Sequence, residues 1–273
     1  MKTTFSIKRT GLLMKLEILN NWKRHTTRFA GIFLVAFLIL TTTQLFCSET
    51  SLDKELKLYR FTGAAFCSSL FILGGLFSVG TCFSQLKTKQ LRIQHLMLPA
   101  TQLEKYAALT TTACISFLLG FTVAVTLADL TCITLFSMPS IEEASVWPDL
   151  WRNLTESVRE TVNLLQQEEI DKSTVLASSW RMHAVFLFML TSYLLGAAAF
   201  RRKAFLKTST ALFVFILTIG VVTGNSSPGN WLLTTTNGND AIMALLFTLL
   251  SIGNIWGSYH LFKRIEVIPS KTI

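Results

Sequence analysis

Asp129 is the only ionisable residue deep within an apolar stretch of this sequence. If the stretch crosses a bilayer, a charge at its centre costs about 2.5–3.5 kcal/mol, so the side chain should face other helices or lie near an interface. Two interpretations stay open. Asp129 forms a substrate or proton site, or it is a boundary residue because span three ends near Leu127. No second intramembrane carboxylate accompanies it, which weakens the case for a proton relay.

The other residues that could do chemistry are scattered. The five cysteines lie in or beside apolar segments without a Cys-x-x-Cys pair, which is typical of small buried side chains. The four histidines form no ligand motif. No Gly-x-Ser-x-Gly elbow and no phosphate-binding loop is present, so we expect no catalytic residue, no metal, no cofactor and no ATP hydrolysis by this chain.

The composition indicates a membrane protein. Half of the 273 residues are hydrophobic and 15% are charged, against about 25% charged residues in soluble domains. The net charge of +9 comes from short basic segments beside apolar runs, without a nucleic-acid-binding motif. That placement is how orientation in a membrane is set, and we expect no nucleic-acid partner.

Six apolar segments are long enough to cross a bilayer as helices, which needs about 20 residues. They lack the alternation of barrel strands, so the predicted fold class is all-α, a polytopic bundle of six spans. The predicted spans are Phe29–Phe46, Thr62–Phe83, Tyr106–Leu127 (or on to Phe136), Met182–Phe200, Ala204–Val222 and Ala241–Tyr259.

Lysine and arginine predict the orientation of these spans. With the N-terminus inside, 18 of the 25 basic residues lie in inner segments and seven in outer ones. The bias recurs at every inner segment, including the run from Arg201 to Lys203. We therefore expect a bacterial cytoplasmic (inner) membrane protein with both termini in the cytoplasm.

The spans divide the chain into five predicted parts. Residues 1–28 form a basic cytoplasmic segment, which is either an amphipathic helix on the inner leaflet or a solvated flank that only sets topology. The other parts are spans one to three over 29–136, an extracytoplasmic acidic loop over 137–181, spans four to six over 182–260, and a cytoplasmic tail over 261–273.

The inner segment 84–105 between spans two and three carries more pattern than a connector needs. Apolar residues at helical spacing precede Leu98 and Pro99, and the proline disfavours helical geometry at the residue before it. Thr101 with Glu104 three residues later matches a capping box, which would begin a new helix. The predicted object is a helix, a sharp break and a capped helix that leads through Lys105 and Tyr106 into span three.

The outer loop is predicted to hold an amphipathic helix of about 20 residues. Its apolar stripe must rest on the membrane surface, on the outer ends of the spans or on a second copy of the chain; packing on the protein's own spans is the simplest case. The stripe consists of Trp147, Trp151, Leu154, Val158, Val162 and Leu165.

The run Leu98-Pro-Ala-Thr-Gln-Leu-Glu-Lys-Tyr106 resembles a motif of Bacteroidetes membrane proteins identified as ABC transporter permeases of the type-two exporter class. The wider similarity is one of layout: an amphipathic segment before span one, six spans and a broken inner segment. In that class the inner segment is a coupling helix. The resemblance implies that residues from about Gln85 to Lys105 contact a separate ATPase subunit. The long loop between spans three and four departs from many members, which place theirs between spans five and six.

The resemblance implies a permease subunit, which is most consistent with export. It implies two partners, a P-loop ATPase subunit that binds the ATP and a second permease subunit, identical or related, besides membrane lipids. The coupling residues it assigns are Leu98, Pro99, Thr101, Glu104, Lys105 and Tyr106. Two alternatives stay open: a scaffold or sensor that binds a partner through its outer helix, and a membrane enzyme that uses Asp129. The substrate is not indicated.

Overall fold

The computed structural model describes residues 5–47, 52–87, 90, 93, 97–136, 145–155, 172–200, 203–222 and 240–266. Within these ranges the regular structure is helical. The elements are α1 (Ile7–Asn20), α2 (Trp22–Cys47), α3 (Leu52–Gly80), a 3-10 helix (Cys82–Lys87), α4 (Gln102–Leu135), α5 (Lys172–Ala199), α6 (Ala204–Val222) and α7 (Asp240–Glu266). Residues 147–155 form a further helical segment.

Four stretches of the described chain are long and apolar enough to cross a membrane: Trp22–Phe46, Lys57–Ser84, Gln102–Leu135 and Ala241–Arg264. Two shorter apolar helical stretches, His183–Ala199 and Ala204–Thr218, coincide with predicted spans four and five. Because lipid offers no partners for backbone polar groups, continuous helices are the structure such runs must adopt. The chain is therefore an α-helical, multi-pass membrane protein.

The chain forms two compact units. The first comprises Met1–Met14, Leu76–Ala113 and Thr161–Ile273, and the second comprises Lys15–Gly75 and Cys114–Glu160. Each unit has a hydrophobic core of its own.

In the first unit, α7 packs along α5. Polar side chains join the two helices: the Nδ2 atom of Asn254 donates to the Oγ atom of Ser192 at 3.0 Å. The helix α6 approaches α5 closely at Gly196, where an added Cβ atom would collide with the side chain of Thr208. Small residues and interhelical hydrogen bonds are the usual means of packing helices in lipid.

In the second unit, aromatic rings of α3 and α4 interlock. The ring of Phe71 lies 5.7 Å from that of Phe117 and 5.1 Å from that of Phe121. Gly74 leaves room for this contact, since a Cβ atom there would lie 2.8 Å from the Phe117 ring.

Two predictions about the outer side can be compared with the structure. The helix of the third predicted span continues past Leu127 to Leu135, while the point at which the span leaves the membrane stays a prediction. The described part of the predicted outer segment, residues 145–155, packs on the chain's own helices, because Val146 and Leu150 are buried in the core of the second unit. Trp151 of the predicted stripe is 65% exposed and does not share this packing, and the stripe members Val158, Val162 and Leu165 lie outside the described residues.

Candidate functional site

The capping box predicted at the start of span three is present. Pro99 lies in a bend, and α4 begins at Gln102. The backbone N–H of Glu104 donates to the Oγ1 atom of Thr101 at 3.2 Å, and the backbone N–H of Thr101 donates to the Oε2 atom of Glu104 at 2.8 Å. Each residue thus satisfies a donor that the first turn of a helix leaves unpaired.

The other carboxylate oxygen of Glu104 binds the N-terminal segment of the chain. Its Oε1 atom accepts a hydrogen bond from the backbone N–H of Ser6 at 2.7 Å and lies 3.5 Å from the Nη2 atom of Arg9. The side chain of Glu104 is fully buried. We call this group of Ser6, Arg9, Thr101 and Glu104 the glutamate clamp.

The clamp joins the beginnings of two helices. Ser6 immediately precedes α1, and its carbonyl oxygen accepts from the backbone N–H of Thr10. Thr101 immediately precedes α4. One carboxylate therefore lies at the N-termini of both α1 and α4, where the positive ends of the helix dipoles stabilise a negative charge.

The residues that follow Glu104 are buried as well. Lys105 is 4% exposed and Tyr106 is 9% exposed. The Tyr106 ring stacks on Phe83 at 5.6 Å and meets the edge of Tyr259 at 5.6 Å, while its hydroxyl donates to the Oγ atom of Ser258 at 3.3 Å. Tyr106 therefore connects the start of α4 to α7.

Among residues 97–106, which form the junction between the break and the start of α4, the exposed side chains are apolar. Met97 is 80% exposed, Leu103 is 46% exposed and Pro99 is exposed, whereas Leu98 and Thr101 are half-buried. A partner that docks on this junction would contact Met97, Pro99 and Leu103. Glu104, Lys105 and Tyr106 lie beneath that surface and can only position it.

Asp129 lies in the second unit, away from the junction in sequence. It is 2% exposed, and its Oδ2 atom accepts from the Ser145 hydroxyl at 2.8 Å and from the Val146 backbone N–H at 3.1 Å. The Ser145 hydroxyl oxygen in turn accepts from the backbone N–H of Trp147 at 3.3 Å. Asp129 therefore holds the N-terminus of the 147–155 helical segment against α4.

A second contact holds the same segment. The Nε atom of Arg60 donates to the Oδ2 atom of Asp149 at 2.9 Å, and both side chains are about one quarter exposed. Asp129 lies within α4 and its side chain is buried; the choice between a boundary residue and a substrate or proton site stays a prediction. The finding adds a structural role that the sequence did not suggest.

The second oxygen of Asp129 is buried without a hydrogen-bond partner among the described residues, and so is the Tyr59 hydroxyl. Tyr59 belongs to the core of the second unit, together with Cys67 and Cys132. Within the described ranges no group of three or more histidine, cysteine or acidic side chains could hold a metal ion.

Sequence reasoning missed the residues that complete these sites. Ser6 and Arg9 of the clamp were visible only as part of a basic segment, although serine before a helical run is a good N-cap signal. Ser145 and Val146 carried no signal, since nothing local in the sequence relates them to Asp129.

Comparison with known proteins gave no relative: no protein-family model matches the sequence, and neither the curated proteins nor the solved structures yielded a match.

Proposed function

We propose that this chain is the membrane-spanning permease subunit of an ABC-type exporter, coupled to a separate P-loop ATPase subunit. The observation that carries the proposal is the glutamate clamp. It fixes the N-terminal helix and the break before α4 to each other, at the position where the sequence resembles a coupling segment. A rigid, capped junction is what a force-transmitting contact needs.

The proposed topology has six spans in the bacterial inner membrane, with both termini in the cytoplasm. The four long apolar stretches supply spans one, two, three and six, and the shorter stretches in α5 and α6 supply spans four and five. The excess of lysine and arginine in alternate connections supports this orientation.

The helix α1 is proposed to lie on the inner leaflet. It contains no buried residue, and Leu12, Leu16 and Leu19 are all exposed. These three positions recur at steps of four and three, so they share one face of the helix. An apolar face beside basic residues is typical of an interfacial helix.

In this proposal the ATPase docks on Met97, Pro99 and Leu103. The buried residues beneath them transmit the movement of the ATPase to other helices of the permease. Glu104 passes the movement to α1, and Tyr106 passes it to α7 through Ser258 and Tyr259. Closure of two ATPase subunits would then open and close the interface between this chain and a second permease subunit, identical or related. The chain itself performs no covalent step.

Affinity purification from native membranes, followed by mass spectrometry of the co-purified proteins, tests the proposal. We expect a stoichiometric P-loop ATPase with the wild-type chain and its loss from the Leu103→Glu variant, which places a charge on the proposed docking surface. The matched control is Leu103→Met, which keeps an apolar side chain and should keep the ATPase. Purification without an ATPase in several mild detergents would overturn the proposal.

A second candidate function is a scaffold or sensor that binds a partner on its outer side. It rests on Trp151, a large aromatic side chain that is 65% exposed on the segment held by Asp129 and Arg60. Exposed tryptophan is a frequent anchor of protein interfaces. If no ATPase co-purifies and the Trp151→Ala variant loses another stoichiometric partner, this function replaces the first.

A further inference from the structure

A cavity of about 330 Å³ is lined by the end of α3, the 3-10 helix, the end of α5 and the start of α6. Its walls are mainly apolar and include Phe77, Phe83, Ala198, Phe205 and Leu206. Phe77 is 46% exposed and Leu206 is 59% exposed, so the cavity opens sideways between the helices. Its volume is at the small end of the range for ligand sites, which is about 300–1,000 Å³.

One residue of the cavity wall has an unusual backbone. Lys203 adopts a φ angle of 52°, in the left-handed region, where glycine or asparagine is the usual choice. Such an outlier points to a function at the residue.

Lysine charges lie beside the cavity. Lys203 is part of the wall, and Lys207 follows one helical turn later, with its backbone N–H donating to the carbonyl oxygen of Lys203 at 3.1 Å. The Nζ atom of Lys207 lies 5.4 Å from the ring of Phe200, which also lines the cavity. Within the described part of the chain, no carboxylate lies within 4 Å of either ammonium group.

We propose that this cavity binds an anionic phospholipid, with an acyl chain in the apolar cavity and the phosphate between Lys203 and Lys207. The apolar cavity suits the acyl chain of a lipid, and two ammonium groups with no carboxylate within 4 Å among the described residues suit its phosphate. Basic pockets between transmembrane helices bind anionic headgroups in this way. The inference rests on the proposed orientation only in placing the lipid in the inner leaflet, and its test needs no ATPase.

The test uses the full chain in nanodiscs that contain a trace of a phospholipid with a photoreactive acyl chain. One set carries the probe with a phosphatidylglycerol headgroup, the other with a phosphatidylcholine headgroup. Mass spectrometry then locates the labelled residues. We expect the phosphatidylglycerol probe to label the cavity wall, including Phe77 and Leu206, several-fold more than the phosphatidylcholine probe, and we expect added salt to reduce the difference.

Two variants distinguish the effect of the Lys203 charge from the effect of its backbone conformation. Lys203→Gly removes the charge, and glycine readily adopts the left-handed conformation, so the local backbone should be retained. Lys203→Arg keeps the charge. Combined with Lys207→Gln, the glycine variant should lose the headgroup preference, and the arginine variant alone should retain it. Lys207→Gln by itself should give an intermediate loss, and it leaves the turn untouched.

Three outcomes would overturn the proposal. Equal labelling by both probes would show a general acyl groove without headgroup recognition. An unchanged preference in the double variant would place the phosphate elsewhere. Absence of cavity labelling in a folded protein, together with protection of Lys203 from amine-reactive reagents by a co-purified protein, would show that a protein partner covers the cavity.

Discussion

The Oε1 atom of Glu104 lies 2.7 Å from the backbone nitrogen of Ser6, which is 98 positions earlier in the chain. The same carboxylate caps the helix in which it lies. The side chain of Glu104 is fully buried, so its carboxylate depends on these contacts for its hydrogen bonds.

The first prediction concerns the clamp. Glu104→Ala removes acceptors for two buried backbone N–H groups, and hydrogen bonds to charged groups contribute about 1.5–3 kcal/mol each. We expect a loss of about 2–4 kcal/mol, measured as a lower unfolding temperature by intrinsic tryptophan fluorescence in detergent at a fixed scan rate.

Two single-contact variants are the controls for the clamp. Thr101→Ala loses one capping bond and should cost about 1 kcal/mol. Arg9→Gln affects an ion pair whose arginine is 37% exposed, and should cost less than about 1 kcal/mol. If Glu104→Ala proves no worse than Thr101→Ala, the contact between Glu104 and Ser6 does not hold the N-terminal helix.

The second prediction concerns Asp129. If its role is to hold the 147–155 segment, Asp129→Asn should be tolerated, because the amide oxygen can still accept from Ser145 and Val146. Asp129→Ala should release the segment and speed tryptic cleavage after Arg152, followed by mass spectrometry of the new terminus. Asp149→Asn is the matched variant at the more exposed ion pair with Arg60, and its effect should be smaller. Loss of transport in Asp129→Asn, with normal resistance to trypsin, would instead favour a proton or substrate site.

The third prediction concerns the close approach of α5 and α6. Gly196→Ala places a methyl group against Thr208, so the helices must separate, and we expect a loss of about 1–3 kcal/mol. Gly253→Ala is the control, since nothing lies within 4 Å of an added Cβ atom there. That variant should be neutral or slightly stabilising, because alanine has the higher helix propensity. Thermal unfolding of both variants in the same detergent checks the pair.

The fourth prediction concerns pH. Glu17 is half-buried in α1, and this partial burial raises the pKa of its carboxyl to about 7, although Arg24 and Arg28 act in the opposite direction. In the unfolded chain this carboxyl has an ordinary pKa near 4.5. Between these values the folded state binds more protons, so this group's contribution to stability falls as pH rises through about 7. Between pH 5 and 8, we expect the unfolding temperature of the Glu17→Gln variant to fall less steeply than that of the wild-type protein. Equal slopes of unfolding temperature against pH in the two proteins would contradict the assignment.

Local chemistry explains which features could be predicted from the sequence. The capping box at Thr101 and Glu104 is a pattern of four residues, and long apolar runs must be helical in lipid, so both were readable. The extent of span three was ambiguous because Asp129 interrupts the apolar run, and its burial depends on Ser145 and Val146, which come from another segment. The packing of residues 145–155 could not be predicted from local sequence because it depends on tertiary contacts with Asp129 and Arg60.

The partner of Glu104 could not be read from the sequence for the same reason. A serine and a glutamate 98 positions apart have no periodicity in common, and only the packed chain brings them together. Because Glu104 is buried, replacing it perturbs the structure of the junction itself. A variant at the exposed Leu103 is therefore the better test of docking.

The distance in sequence between Ser6 and Glu104 also sets an order of events during synthesis. At about 5–20 residues per second, the ribosome makes the carboxylate about 5–20 s after the serine. Throughout that interval α1 can rest on the lipid surface but cannot be locked, while spans one and two are already entering the bilayer. The clamp can therefore close only after the start of α4 has been made, so the protein's first helix is fixed in place after α2 and α3 have been made.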